Sequence, residues 1–349
     1  MKFGKYSENE LFFFKTRKFF EWLNVKKGKS HSNNQPSEDA TVKSYRDALT
    51  IFRRFIVEKK NYTVLSFRFE DCDRDIILDF IKYLEEEKRS KATINQRLAA
   101  IKSYLWFCSD EDITLQPLSI MISRIPNVKE TKKVRERLSE DDLKLIFSLP
   151  KNSRIGIRDK TIMILLYDSA IRVSELTGLN IGDVYFKKDG TNLIVHGKGN
   201  KERVIAISDR TSEYLRLYNT VYNESAKKDD PLFFTVYKGV KDRMSSGNVE
   251  RIIKKYADIA RSKSSTIPKS VYPHMFRRTR ATDMYQNGVE LDLVSRILGH
   301  ETVETTRSHY AVPSQEMLKQ SMERAGANLE KPEWEKETDE EILKYLDLR

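Results

Sequence analysis

Leu193-Ile194-Val195-His196-Gly197-Lys198-Gly199-Asn200-Lys201-Glu202-Arg203-Val204-Ile205-Ala206-Ile207 is the one stretch of the 349-residue chain that reads clearly as β structure. Two apolar, β-branched runs flank a glycine-rich tip, so residues 192–208 are expected to fold as a hairpin whose glycines supply the turn. Helical patterns lie on both sides of it. Residues 159–168 and 172–179 precede it, and from Val249 onward the period is helical again, with breaks near Pro268, Pro273, Gly288, Gly299 and Pro313. The region opens at Leu138-Ser139-Glu140-Asp141-Asp142, where Ser139 and Asp142 can form a capping box. A helical chain with one small hairpin is mainly α, of the α+β kind.

Upstream, residues 10–27 set Leu11, Phe14, Phe19, Trp22 and Leu23 near helical spacing, and a Ser- and Asn-rich stretch, residues 28–39, reads as a loop. Three more amphipathic helices follow. Residues 41–59 carry Tyr45, Leu49, Phe52, Phe55 and Ile56; residues 71–88 carry Ile76, Ile77, Phe80, Ile81 and Leu84. Residues 92–109, opened by Thr93, pack through Ile94, Leu98, Ile101, Leu105 and Phe107. Four such helices make one small bundle over residues 1–125. Residues 126–137 then hold Lys129, Lys132, Lys133, Arg135 and Arg137 with almost no apolar side chain. That composition suits an interdomain linker tracking a phosphate backbone, and equally an ordinary solvated loop. A second domain is expected over 138–325 and a tail over 326–349, and no internal repeat is visible.

The formal charge of +11 and pI near 9.3 favour a polyanionic partner. Cys72 and Cys108 lie far apart without CxxC spacing, which fits a reducing, cytoplasmic setting. No run reaches the roughly 18 apolar residues of a membrane helix. Met1-Lys2-Phe3-Gly4-Lys5 is not followed by the apolar core of a secretory signal, so no membrane partner is expected. The chain has no GxxxxGK[ST] phosphate loop and no carboxylate cluster of the two-metal nuclease kind.

Of five histidines, three fall in the last third: His274, His300 and His309. Between Arg251 and Arg280 nine Lys and Arg stand against one acid, Asp258, so basic charge gathers where the histidines are. His274 and Arg277, three apart, share a helix face, where a guanidinium fork and a proton-handling imidazole can reach one phosphate. Neither this pair nor Leu298-Gly299-His300 is specific by itself. Their order is: Ser169-Ala170-Ile171-Arg172-Val173-Ser174-Glu175-Leu176 comes first, then the Gly197–Arg203 hairpin tip, HxxR, LGH, and Tyr310 ten residues past His300.

In that order and spacing the motifs resemble the tyrosine recombinase family of phage and transposon integrases and Xer-type enzymes, over most of the chain. The resemblance implies a helical, SAM-like core-binding domain and a mixed α/β catalytic domain forming a C-shaped DNA clamp. It implies that Arg172 and Arg277 neutralise the non-bridging oxygens of the scissile phosphate. Lys198 corresponds to the general acid on the leaving 5′ oxygen, and His274 to the residue assisting proton removal. His300 corresponds to a donor to the phosphate or nucleophile, and Tyr310 to the nucleophile. Glu175 would orient Arg172. Lys201 and Arg203 are candidates for phosphate contacts alongside Lys129, Lys132, Lys133 and Arg135; Arg278 and Arg280 are candidates for backbone contacts, and His196 for a structural role. The implied reaction is site-specific recombination, either integration and excision of a mobile element or resolution, through a 3′-phosphotyrosine, with no metal and no cofactor. The implied partners are double-stranded DNA recombination sites, a homo-tetramer on synapsed DNA, and accessory proteins. Two features depart from the family. Arg278 stands where many relatives have His, and the His-to-Tyr interval is ten rather than nine, with His309 in ninth place. The second leaves open whether Tyr310 serves its own site or a neighbour's. The tail, with Leu343 and Tyr345, is likewise open between packing in cis, staying unfolded and docking on a neighbouring protomer. The alternatives are a type IB topoisomerase and a DNA-binding protein that has lost catalysis; the complete set of six catalytic candidates argues against the latter.

Overall fold

The computed structural model describes residues 2–3, 6–7, 9–26, 40–130, 136–197, 201–310, 313, 315–325 and 343–347. They divide into two units, Met1–Val134 and Arg135–Arg349.

In the first unit a short antiparallel pair, β1 (Lys2–Phe3) and β2 (Tyr6–Ser7), precedes five helices. These are α1 (Thr16–Lys26), α2 (Ala40–Lys60), α3 (Arg74–Glu86), α4 (Lys91–Glu111) and α5 (Gln116–Ser123). The bundle thus has one helix more than the apolar periodicity predicts. The first helix also starts later than expected. Phe12 N donates to Phe67 O at 3.0 Å and Phe69 N to Glu10 O at 3.0 Å, so residues 10–12 spend their backbone groups on a neighbouring segment instead of a helix. Leu11 and Phe12 are nonetheless fully buried, and the Tyr104 hydroxyl donates to Phe12 O. α4 opens at Ser90, whose hydroxyl accepts from Thr93 N at 3.2 Å, so Thr93 lies inside the helix and not at its cap. Aromatic rings fill the interior, as where Phe52 meets Phe80 edge-on at 5.0 Å.

The second unit begins with α6 (Glu140–Ser148), capped by the expected Ser139–Asp142 box, then α7 (Arg154–Ser169) and α8 (Val173–Gly178). A three-stranded antiparallel sheet follows, β3 (Val184–Lys187), β4 (Gly190–His196) and β5 (Glu202–Ile207), in the order β3-β4-β5. The strand β3 was not evident in the sequence, because four residues are too few for alternation to register. Next come α9 (Asp209–Tyr222), the antiparallel pair β6 (Phe234–Tyr237) and β7 (Val240–Arg243), and α10 (Ser246–Arg261). The β6–β7 turn uses Lys238 and Gly239 at φ of 48° and 81°, the left-handed pair that a two-residue hairpin turn demands. The last helices are α11 (Pro273–Gln286), α12 (Leu291–Leu298), α13 (Val303–Tyr310) and α14 (Gln315–Ala325). Among the described residues no helix is long and apolar enough to cross a membrane.

α7 is the central helix: Ile162, Met163, Leu165 and Leu166 are all fully buried. Its two ends are specialised. At the start, a Cβ on Gly156 would lie 1.9 Å from Lys151 O, so the preceding turn closes directly over the glycine. At the end, Ala170 adopts the left-handed conformation at φ 51°, a strain an alanine accepts here with its methyl fully buried. In the sheet, Leu193 and Val195 of β4 and Ile205 and Ile207 of β5 face the core. The strand period of two places Arg203 on that same inward side, opposite Val195.

Gly156→Ala must displace the 151–153 turn or the start of α7, and is expected to cost about 1–3 kcal/mol, the usual range for overpacking. Urea unfolding measures it; an unchanged midpoint would show that the turn gives way freely.

Candidate functional site

Arg172 follows the left-handed Ala170 by two residues and serves as the N-cap of α8. Glu175, at the third helical position, accepts from Arg172 twice: its Oε2 from Arg172 N at 2.8 Å and its Oε1 from Arg172 Nη1 at 2.9 Å. Motif spacing and helix geometry thus make one device, since a carboxylate three residues on reaches back to the N-cap N–H, the half of a capping box open to an arginine, which cannot accept. The Glu175 side chain is 5% exposed, whereas Arg172 keeps 39% of its side chain in solvent. Glu175 is held below the usual carboxylate range: burial raises it, and bonds from Arg203 and the Arg172 backbone, with both guanidinium charges, more than offset that.

Arg277 comes from the second turn of α11, which opens with Pro273 at its first position. It is 1% exposed and the bulkiest of the fully buried side chains. Nη1 donates to Ala170 O at 2.7 Å and Nη2 to Leu298 O at 2.6 Å, while Nε is buried without a partner. Burial and then the neighbouring Arg172 charge lower its pKa to about 10, against support from Tyr310 and Glu175, so it remains a cation at neutral pH. The strained Ala170 earns its place here, since its carbonyl is turned to meet this guanidinium.

His300 follows Gly299, which ends α12 at φ 63°. Arg277 can only donate, so at 3.1 Å the His300 Nε2 accepts from Arg277 Nη2, and Nδ1–H donates to Thr306 Oγ1 at 2.8 Å. The expected donor role needs a hydrogen on Nε2; in this network it sits on Nδ1. Burial pushes the His300 pKa down to about 4, followed by the charges of Arg277, Arg172, His309 and His274, so the ring is neutral above that.

Tyr310 closes α13, 3% exposed, in a small apolar cluster with Ala170, Ala281, Met284, Val294 and Leu298. Its ring stacks on His300 at 5.8 Å and 16°. Thr306 is fully buried and Tyr310 nearly so; four residues apart, they share the inner face of α13, while His309 is exposed. Position ten, not nine, is therefore the one that faces the site.

The structure brings Arg172, Arg277, His300 and Tyr310 together, with Glu175 behind Arg172. His274 is exposed on the first turn of α11, near enough for its charge to oppose protonation of His300. Lys198, Lys132, Lys133 and Arg135 lie outside the described residues. Lys129 and Lys201 are exposed, Lys201 standing 3.8 Å from Glu301. Three arginines expected to meet DNA are turned inward to differing degrees. Arg278 is 5% exposed, donating to Glu136 O and to the Tyr272 hydroxyl. Arg280 binds Asp168 through its carbonyl and carboxylate. Arg203 grips Glu175 with two nitrogens, at 3.1 and 2.8 Å. His196 spans Asp183 and Glu202 at 3.1 and 3.0 Å at the root of the hairpin, and its pKa is raised, first by the Asp183 bond. In α14, Leu318 and Met322 are exposed, as are Leu343 and Tyr345 beyond it. Sequence reasoning missed Thr306, which sets the His300 tautomer; its only signal is its position one helical turn before Tyr310.

Residues 136–317 match the model of the Phage integrase family, and residues 18–116 that of the Phage integrase SAM-like domain. The chain is 33% identical over 266 residues to the tyrosine recombinase XerA of Pyrococcus horikoshii, covering 75% of this chain and 84% of the relative. To the tyrosine recombinase XerD of Oceanobacillus iheyensis it is 28% identical over 293 residues, 83% and 90% of the two chains. Its fold is similar to the XerH site-specific recombinase bound to difH substrate (TM-score 0.68, 17% identity, 94% of this chain and 100% of that one). It is also similar to a lambda integrase tetramer bound to a Holliday junction (TM-score 0.60, 16% identity, 86% and 78%).

An unfolded histidine takes up its proton near 6.5 and folded His300 only near 4, so between those values the unfolded chain binds more protons. The contribution of His300 to stability is therefore expected to fall as pH drops from about 6.5 toward 4. Comparing urea unfolding of wild type and His300→Gln across that window tests it; a stability difference that does not change with pH would exclude the low pKa.

Proposed function

We propose a route for the reaction from one premise: the chain belongs to the phage integrase family of tyrosine recombinases and catalyses site-specific DNA recombination. The observation that carries the route is the placement of Arg172 and Arg277 beside the buried Tyr310. The Arg172 and Arg277 charges converge on one place and Glu175 balances only part of them, so the site favours an anion. A scissile phosphate supplies that anion.

In this route the Tyr310 oxygen attacks the phosphorus in line, forming a 3′-phosphotyrosine and freeing a 5′ hydroxyl. Arg172 and Arg277 neutralise the non-bridging oxygens as charge develops on them. A free phenol with a pKa of about 10 is a poor nucleophile at neutral pH, so its proton must be drawn off. His274 assists that removal, and His300, stacked on the phenol ring, bonds the phosphate or the nucleophile once its Nε2 carries the hydrogen. Lys198, in the segment between β4 and β5, protonates the leaving oxygen. A 5′ hydroxyl of the partner strand then attacks the phosphotyrosine and rejoins the DNA, and the conserved bond energy makes ATP unnecessary. Positive charge at the phosphate comes wholly from side chains, so the route calls for no metal. Packing of Tyr310 within the apolar cluster of its own chain supports cleavage in cis.

Strand exchange would take place in a homo-tetramer on two synapsed double-stranded sites in the cytoplasm, with accessory proteins setting its direction. Lys129, Lys132, Lys133, Arg135 and Lys201 would follow the phosphate backbone, and the helices after Tyr310 would dock on a neighbouring protomer through exposed apolar residues such as Leu318 and Met322.

On a nicked suicide duplex carrying the recombination site, wild type is expected to give a slow-migrating covalent adduct in EDTA, and Tyr310→Phe none, with DNA binding retained. A denaturing gel reads it out. An adduct from the Phe variant would remove Tyr310 from the role, and one that needed a divalent ion would exclude the metal-free route.

A further inference from the structure

Arg203 sits in the Gly-Lys-Gly-Asn-Lys-Glu-Arg motif, where a basic hairpin invites a reading as a DNA contact. Its geometry points elsewhere. The β5 register sets it on the core side with Ile205 and Ile207, and its side chain is only 15% exposed. All three nitrogens have acceptors within the protein. Nη1 and Nη2 donate to Glu175 Oε1 and Oε2 at 3.1 and 2.8 Å, and Nε donates to Ile297 O at 2.9 Å. A Cβ on Gly299 would meet this guanidinium at 2.9–3.2 Å, so the glycine of the Leu-Gly-His motif also leaves room for it. One side chain from the hairpin thereby touches the carboxylate that holds Arg172 and the turn that presents His300.

Charge balance gives the contact a chemical consequence. Glu175 alone would cancel the charge of Arg172, the charge that the phosphate site requires. With Arg203 on the same carboxylate, two cations share one anion and the group keeps a net positive charge next to the site. The bidentate grip also leaves Glu175 a single geometry, and with it the Arg172 Nη1 bond at 2.9 Å.

We infer that Arg203 is a positioning residue for DNA cleavage, acting through Glu175 on Arg172 and through the Ile297–Gly299 turn on His300, and not a phosphate contact; this rests on the reading of the site given above. Lysine at this position keeps the charge but cannot bridge both Glu175 oxygens and Ile297 O, while methionine loses the charge as well.

The test uses the full chain on the suicide duplex, measuring single-turnover adduct formation and, separately, DNA affinity over a salt series. Arg203→Lys is expected to slow adduct formation about tenfold and Arg203→Met about a hundredfold, the scale of a small misplacement in an active site. Affinity and its salt slope should stay at wild-type values. In a Glu175→Gln background, Arg203→Met should add clearly less than it costs in the wild type, because the Glu175 linkage is already broken and only the Ile297 bond is left to lose; losses that multiply in full would show that Arg203 does not act through Glu175 and overturn the role. Adduct rates within twofold of wild type would also overturn it, as would weaker binding with a salt slope lower by about one, the mark of a phosphate contact. If Arg203→Met does not fold, Arg203→Lys decides alone. A wild-type chain that forms no adduct overturns the cleavage reading and this role with it, whereas a wild-type adduct with indifferent variants overturns only the role.

Discussion

A guanidinium with 1% of its surface in solvent constrains everything around it. Arg277 stays charged in a place where charge costs several kcal/mol unless acceptors surround it. The fold supplies them from two directions: Ala170 O at the end of α7 and Leu298 O at the end of α12. Both carbonyls are main-chain groups that a finished helix leaves without a partner, so the ends of two helices converge on one side chain. The left-handed residues that terminate those helices, Ala170 and Gly299, are the local cost of turning the chain there.

The same economy governs the charges nearby. Glu175 is a helix cap, a partner for Arg172 and a partner for Arg203, and one buried carboxylate serves two cations without neutralising both. His300 adds no charge, because burial first and the surrounding cations after it keep it neutral, and Thr306 and Arg277 together decide which ring nitrogen carries the hydrogen. The site is positive where an anion would rest and hydrogen-bonded nearly everywhere else. Among the described residues, Arg277 Nε in the site and Arg278 Nε beside it are buried donors with no protein acceptor.

Much of this was legible in the residues. Motif order led to the site cluster, and hairpin glycines to the sheet. The Ser139 box and the apolar stripes of α2 to α4 marked helices that are present. What escaped the reading has physical causes. Leu11 to Phe14 have helical spacing, yet Glu10 and Phe12 bond the backbone of the 67–69 segment, a pairing that no local pattern reports. The direction of Arg203 follows from its alternation with Ile205 and Ile207 along β5, whereas the basic composition around it reports charge and not register. Arg278 likewise looked like a surface cation and lies buried against Glu136 O and Tyr272, because position within α11, and not charge, decides which way it points.

The inner face of α13 bears on how such a chain can vary. With Thr306 as its anchor, the side chain four positions on lies about 40° from the same direction and is the buried Tyr310, the one three positions on lies about 60° off on the other side and is the exposed His309, and one five positions on would be turned away by roughly 140°. Loss of one codon between Thr306 and Tyr310 would bring the phenol to the exposed position that His309 holds, and gain of one would carry it further outside. The helix therefore fixes the interval from both directions, and a search that counts nine residues from the histidine would stop at His309, a solvent-facing imidazole, one step short of the buried ring.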